Sequence, residues 1–174
     1  MEGCARRPEN EDLGAVTTMG DEQLVLLDQS NWLAALEVRV TEEQLPMVAH
    51  HQPVALEILA KAYLQPGGRR WEPLGYVDAA GSIVAVLALS YADGVAQVRN
   101  LAVDMRHQRR GVGSQVMRAV MDWCHRAGAS TVELTFTPGN TPAARLYERA
   151  GFRPTGEVRD GEPVWSIDVP VTEG

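Results

Sequence analysis

Between residues 73 and 104 the chain carries three consecutive β segments, and no other stretch narrows its fold so much. Residues 73–77, 82–91 and 95–104 are rich in Val, Leu, Ala and Tyr, and Asp78-Ala79-Ala80-Gly81 and Ala92-Asp93-Gly94 separate them. Asp and Gly suit tight reversals, so the three segments predict an antiparallel meander. After it the pattern alternates: a helix over about 111–127, a strand at 131–137, a helix at 141–150, and closing strands near 153–159 and 164–169. This succession predicts an α/β (α+β) domain built on one mixed, mostly antiparallel sheet.

The segment before residue 73 is helical apart from a first strand over 23–28. Ser30 can cap a helix on which Trp32, Leu33, Leu36 and Val40 recur near helical spacing. A second helix is expected over about 53–64, with Pro53 at its first position and Pro66-Gly67-Gly68 as its stop. Residues 1–20 include Arg6, Arg7, Glu9, Glu11 and Asp12 with few apolar positions, and are expected to form a flexible tail. The remainder, 21–174, contains no repeat or shift of composition, and 174 residues suit one domain.

Composition removes several classes of function. A formal charge of −7 disfavours unspecific binding to nucleic acid, which needs a basic face. No apolar run approaches the ~18–20 residues needed to cross a bilayer, so no membrane role and a cytoplasmic location are expected. Cys4 and Cys124 show no disulfide framework, and Cys124 continues the apolar stripe of the 111–127 helix, as a core residue would. No spacing of His and Cys suggests a metal site, the His50-His51 pair included.

The segment richest in chemical meaning is Gln108-Arg109-Arg110-Gly111-Val112-Gly113, between the third meander strand and the 111–127 helix. A strand, a Gly-containing turn and a helix N-terminus aim several backbone N–H groups at one point, where the helix dipole favours an anion. Alone, such a turn is as readily a plain reversal. No Gly-Lys-Ser/Thr follows, which sets aside a P-loop, and a dinucleotide fingerprint would need a third glycine. Downstream, Thr141 can cap a helix opening on Pro142, and Gly151 can end it in left-handed geometry. By itself Tyr147 on that helix reads as a packed aromatic before it reads as a catalytic group.

The loop of 108–113, taken with Asn140, Tyr147, Gly151 and Phe152 some thirty to forty residues later, resembles the GNAT acetyltransferase pattern over residues 22–169. The resemblance implies a GNAT fold of about six to seven strands flanked by about four helices, with acetyl-CoA as cofactor. It implies backbone contacts to the pantetheine arm from Leu101, Ala102 and Val103, a diphosphate cradle from Gln108, Arg109, Arg110, Gly111, Val112, Gly113 and Ser114, and a cofactor contact from Asn140. Tyr147 would lie against the cofactor and act as the general acid for the departing thiolate, in direct attack by an amine within a ternary complex.

Asn31-Trp32, Leu36-Glu37-Val38-Arg39-Val40, Glu43-Gln44 and Ala60-Lys61-Ala62-Tyr63 look like the bacterial spermidine and diamine branch of the superfamily. The chain departs from that branch at Val48-Ala49-His50-His51 and at Val84-Ala85-Val86. The acceptor implied is a small primary amine, polyamines and diamines first. Amine-bearing antibiotics, amino-acid derivatives, a protein N-terminus or lysine, and a non-catalytic acyl-CoA sensor are the alternatives. Some relatives use a glutamate on the fourth strand as base, but this chain has Gln97, Arg99, Asn100 and Asp104 there. Deprotonation through ordered water is therefore expected, with Glu37, Glu43 and Glu57 as helpers or amine anchors, unless they are solvated helix charges. Dimers are common among such relatives, and a homodimer is compatible with the sequence.

Overall fold

The computed structural model describes residues 23–170. The expected N-terminal tail lies outside the described residues. Strands β1 (Gln23–Leu26), β2 (Arg70–Val77), β3 (Ile83–Ala92), β4 (Val95–Val103), β5 (Thr131–Thr135), β6 (Arg153–Arg159) and β7 (Glu162–Asp168) form one seven-stranded sheet in the order β1-β2-β3-β4-β5-β7-β6. All neighbours are antiparallel except β4 and β5, which the chain joins through a helix. The fold is the mixed sheet that the sequence predicts.

Among the described residues there are five α-helices rather than about four: α1 (Trp32–Ala35), α2 (Leu45–Val48), α3 (Val54–Leu64), α4 (Val112–Arg126) and α5 (Thr141–Arg149). The difference arises in the segment after Ser30. The helix expected there lasts one turn and has no side-chain cap. Ser30 instead donates its hydroxyl to Asp28 at 2.6 Å. From Val38 the backbone is drawn to β4: the Arg39 N–H donates to the Asp104 carboxylate at 3.0 Å, and the Arg39 carbonyl accepts from Met105 N–H at 2.8 Å. Val38 and Val40 are both buried, and β-branched residues lose little by leaving a helix.

Two cores flank the sheet. On one face Val116, Met117, Val120 and Cys124 of α4 pack with Leu87, Leu89, Val132, Leu134 and Tyr147, as the helical stripe predicts. Cys124 is fully buried, and burial first pushes its thiol up to about 12, which suits a core residue. On the other face Ala35, Val38, Val54, Ala55 and Ile58 close over Val86, Ala88 and Ala102.

Candidate active site

β4 and β5 part company halfway along. Their ladder runs from Val95 and Thr131 to Val98 and Leu134. Beyond it the β5-side edge of β4 has no strand partner among the described residues. At the same point β4 bulges: its register with β3 shifts between Val86 and Ala88, and Asn100 takes a φ of +52°. Asparagine tolerates this left-handed geometry better than most residues. The bulge reverses the alternation of side chains. Ala96 and Val98 belong to the core under α4, whereas Ala102 belongs to the core under α1 to α3. Leu101 and Val103 consequently pack against the α4 core, and the stretch assigned to pantetheine is an open backbone edge.

Two helices, α2 and α3, clamp the bulge. The Asn100 amide donates to the Val48 carbonyl at 2.6 Å and to Glu57 at 3.2 Å, and it accepts from Lys61 at 2.9 Å. Lys61, the only lysine in the chain, also pairs with Glu57 at 2.7 Å. Burial raises the Glu57 carboxyl, but the His50 backbone N–H and the Lys61 ammonium outweigh it and hold the group down at about 2. A carboxylate so stabilised is a poor base near neutrality. Of the three expected glutamates, only Glu57 reaches β4. Glu37 and Glu43 are exposed and form no ion pair among the described residues.

The turn after β4 is held by a buried carboxylate. Asp104 is 1% exposed and accepts from the backbone N–H groups of Arg39 and Arg106 and from the Arg106 guanidinium. Burial opposes ionisation, yet the Arg106 side chain and these N–H groups hold the carboxyl well below its usual range. Gln108 donates to the Val103 carbonyl at 2.9 Å and exchanges a hydrogen bond with Gln44 at 3.0 Å, so its amide fastens the loop to the strand. Arg109 and Gly111 then take φ values of +60° and +81°.

α4 begins at once, with no side-chain cap and no acidic residue in its first turn. The N–H groups of Val112, Gly113 and Ser114 therefore lie ahead of the helical ladder, beside the exposed Arg109 and Arg110. This end of the helix can receive a diphosphate. Its two glycines do different work. Gly111 supplies the left-handed φ, with open space where a Cβ would sit, whereas a Cβ on Gly113 would lie 3.2 Å from Leu146 of α5. The second glycine therefore lets two helices approach.

The cap of α5 differs from expectation. Asn140, rather than Thr141, is the cap: its side chain accepts from the Ala143 N–H at 3.2 Å, and Pro142 falls second in the helix. The Asn140 oxygen thus has a structural role, which leaves its NH₂ group for any cofactor contact. Tyr147 is 8% exposed and packs between Phe136 and Phe152, with ring centroids 5.7 and 6.1 Å away. It is a core aromatic in the cluster that also takes in Leu101, Val103 and Val112, along the open β4 edge. Burial, then the Glu162 carboxylate, pushes its hydroxyl up to about 12, so it stays protonated near neutrality. Ser114 heads a groove of about 350 Å³ that continues between α4 and α5 past Arg118 and Arg149.

Sequence reasoning placed the loop and Tyr147 but gave no role to Asn100, Lys61 or Asp104. The available signals were an amide and a carboxylate within an apolar strand, and a lysine without a second in the chain. No group of three or more His, Cys, Asp or Glu suited to a metal occurs among the described residues, and none of their helices is long and apolar enough to cross a membrane.

The model of the acetyltransferase (GNAT) family matches residues 37–152. An uncharacterized N-acetyltransferase of Bacillus subtilis, YobR, is 33% identical over 76 residues, covering 44% of this chain and 31% of the relative. The mycothiol acetyltransferase of Clavibacter sepedonicus is 38% identical over 76 residues, covering 44% of this chain and 25% of that protein. The match thus spans only about a quarter to a third of these curated relatives. The solved spermidine N-acetyltransferase of Vibrio cholerae, in complex with CoA and spermine, superposes with a TM-score of 0.66 at 15% identity, over 85% of this chain and 95% of that one.

Proposed function

The chain belongs to the acetyltransferase (GNAT) family, and on that premise we propose that it moves the acetyl group of acetyl-CoA onto the primary amine of a small molecule. The observation that carries this reading is the open edge of β4, which leads through the turn of 104–111 into the uncapped N-terminus of α4. The Leu101–Ala102–Val103 backbone can pair with the amides of a pantetheine arm, as a β-strand would. The loop of 108–114 supplies N–H groups, the dipole of a 15-residue helix and two guanidiniums to a diphosphate. The groove past Arg118 and Arg149 extends from the same helix end.

When bound, acetyl-CoA supplies an acyl carbon carrying a thiolate leaving group. Backbone N–H groups near Ala102 polarise the carbonyl, an interaction worth ~3 kcal/mol in comparable sites. The amine nitrogen bonds to the carbonyl carbon as the C–S bond breaks. Tyr147 holds the proton that the sulfur takes up. A hydroxyl near 12 is a weak donor to a thiolate of reference pKa ~8.5, so its placement matters more than its acidity. With Glu57 held at about 2, the amine loses its proton to ordered water.

Polyamines and diamines are the acceptors that the branch resemblance names. The sheet face beside the β4 bulge, however, carries Arg99, which among the described residues has no carboxylate within ion-pair distance and disfavours an ammonium placed next to it. An amino-acid derivative suits that face better. The direct test is release of CoA thiol from acetyl-CoA across amines of differing charge, with calorimetry of acetyl-CoA alongside. Turnover with any primary amine supports the reading, and absence of acetyl-CoA binding defeats it.

A further inference from the structure

Arg99 stands where β4 leaves β5, on the face of the sheet that α3 partly covers. Its partner on β3 is Ala88, a member of the core under α1 to α3. The adjacent row across the sheet reads Ser90, Gln97, Glu133 and Ser166. The charged groups around Arg99 are already engaged. Arg69 donates to the Ser90 hydroxyl at 3.1 Å and to the Ser90 and Val95 carbonyls at 3.0 Å. Arg159 pairs with Glu133 at 3.2 Å and with Glu157 at 3.5 Å, and Gln97 also donates to Glu133 at 3.0 Å.

Arg99 is less engaged than either. Its one hydrogen bond goes to the neutral Gln97 oxygen at 2.7 Å, and, as for Arg69, among the described residues no carboxylate lies within salt-bridge reach of 4.0 Å. Its Nε is buried without an acceptor. Burial, then the neighbouring Arg159 and Arg69, lower the guanidinium from its usual value, with Glu162 and Asp160 in opposition, yet an arginine remains charged. A partly buried cation without a counter-ion, and a donor without an acceptor, are costly to keep. The terminal Nη1, which forms no hydrogen bond among the described residues and is not enclosed as Nε is, can donate to an oxygen of a carboxylate or phosphate. Along a strand, Arg99 is about 7–10 Å from the Leu101–Ala102 edge, at ~3.3 Å per residue, which a small amine can span.

We propose that Arg99 receives an oxyanion of the acceptor, so that the substrate is a small primary amine that also carries a carboxylate or phosphate group. The proposal rests on the N-acetyltransferase reading and narrows it. The experiment uses the full chain with acetyl-CoA and pairs of acceptors that differ only in the anion: lysine against 1,5-diaminopentane, 4-aminobutyrate against butylamine, and phosphoethanolamine against ethanolamine. The anionic member is expected to show at least a tenfold higher kcat/KM in at least one pair, and which pair responds separates carboxylate from phosphate. Arg99→Gln should bring that ratio towards one through KM, and Arg99→Lys should restore it only in part, because the fork is lost. Calorimetric affinity for acetyl-CoA shows that the variants are folded. Turnover that favours the neutral or cationic members leaves the acetyltransferase reading intact and overturns the anion site, as does an unchanged ratio in Arg99→Gln. Absence of turnover with every acceptor overturns both.

Discussion

The two sides of β4 are built from different materials. On the proposed donor side, from Asp104 to Ser114 and across to α5, the chemistry belongs to the main chain: an unpaired strand edge, a left-handed turn and the unbonded N–H groups of a helix. On the proposed acceptor side it belongs to side chains. Asn100, Glu57 and Lys61 hold the bulge, and Arg69, Gln97, Arg99, Glu133 and Arg159 line the open sheet. A site made of backbone accepts the same ligand group whatever residues surround it, while one made of side chains can be recut for a new acceptor without disturbing the first.

Substitutions test that division, and the largest effect is expected at the point where the two sides meet. Tyr147→Phe should lower kcat by about a hundredfold or more while calorimetry finds acetyl-CoA affinity nearly unchanged. Normal turnover would remove the tyrosine from the chemistry and leave it only its packing between Phe136 and Phe152. Next come the two glycines of the donor side. Gly111→Ala sets a Cβ at a φ of +81° and should weaken acetyl-CoA binding by roughly tenfold, from ~1–2 kcal/mol of backbone strain. Gly113→Val should mainly lower the melting temperature, because it pushes α5 away through Leu146 at a cost of about 1–3 kcal/mol.

Asp104→Asn should cost about 1–3 kcal/mol of unfolding free energy by leaving the Arg106 and Arg39 donors poorly matched. A smaller, pH-dependent effect belongs to the acceptor side. The folded-state carboxyl of Glu57 lies at about 2, below the ~4.3 of an unfolded chain, so its contribution is complete above about pH 5 and is lost as pH falls towards 2. Chemical denaturation of Glu57→Gln should accordingly show a shallower loss of stability over that window, and an identical pH profile would mean that the clamp adds nothing. Glu37→Gln and Glu43→Gln should alter neither turnover nor melting, since both residues are exposed; a change in KM would restore them as amine anchors.

The same division explains what could be read from the sequence. Backbone features leave local marks. Glycine stands at most positions of positive φ, proline opens a helix, and the 3.6-residue stripe of α4 names its buried row, so the sheet, the turn before α4 and the late helices were legible. The cap of α5 was misplaced by one residue because Asn140 and Thr141 are both able acceptors, and only the bond to Ala143 distinguishes them. The acceptor side depends on contacts between residues far apart in the chain, Lys61 with Asn100 or Gln97 with Glu133, which no local pattern announces. The failed helix after Ser30 has the same cause, since the carboxylate that draws the chain out of helical geometry is Asp104, on another element.

The left-handed residue in β4 also works as a change of phase. A tolerance scan along the strand should find the even-numbered positions following the α4 core up to Val98, missing a beat at Asn100, and following the opposite core at Ala102, while Leu101 and Val103 take over the α4 side. A regular ladder that kept Asn100 without the bulge would turn every later side chain to the wrong face, carrying Ala102 towards α4 and Leu101 under the early helices. A single inserted position thus exchanges which alternate side chains answer to each core before Asn100 and after it.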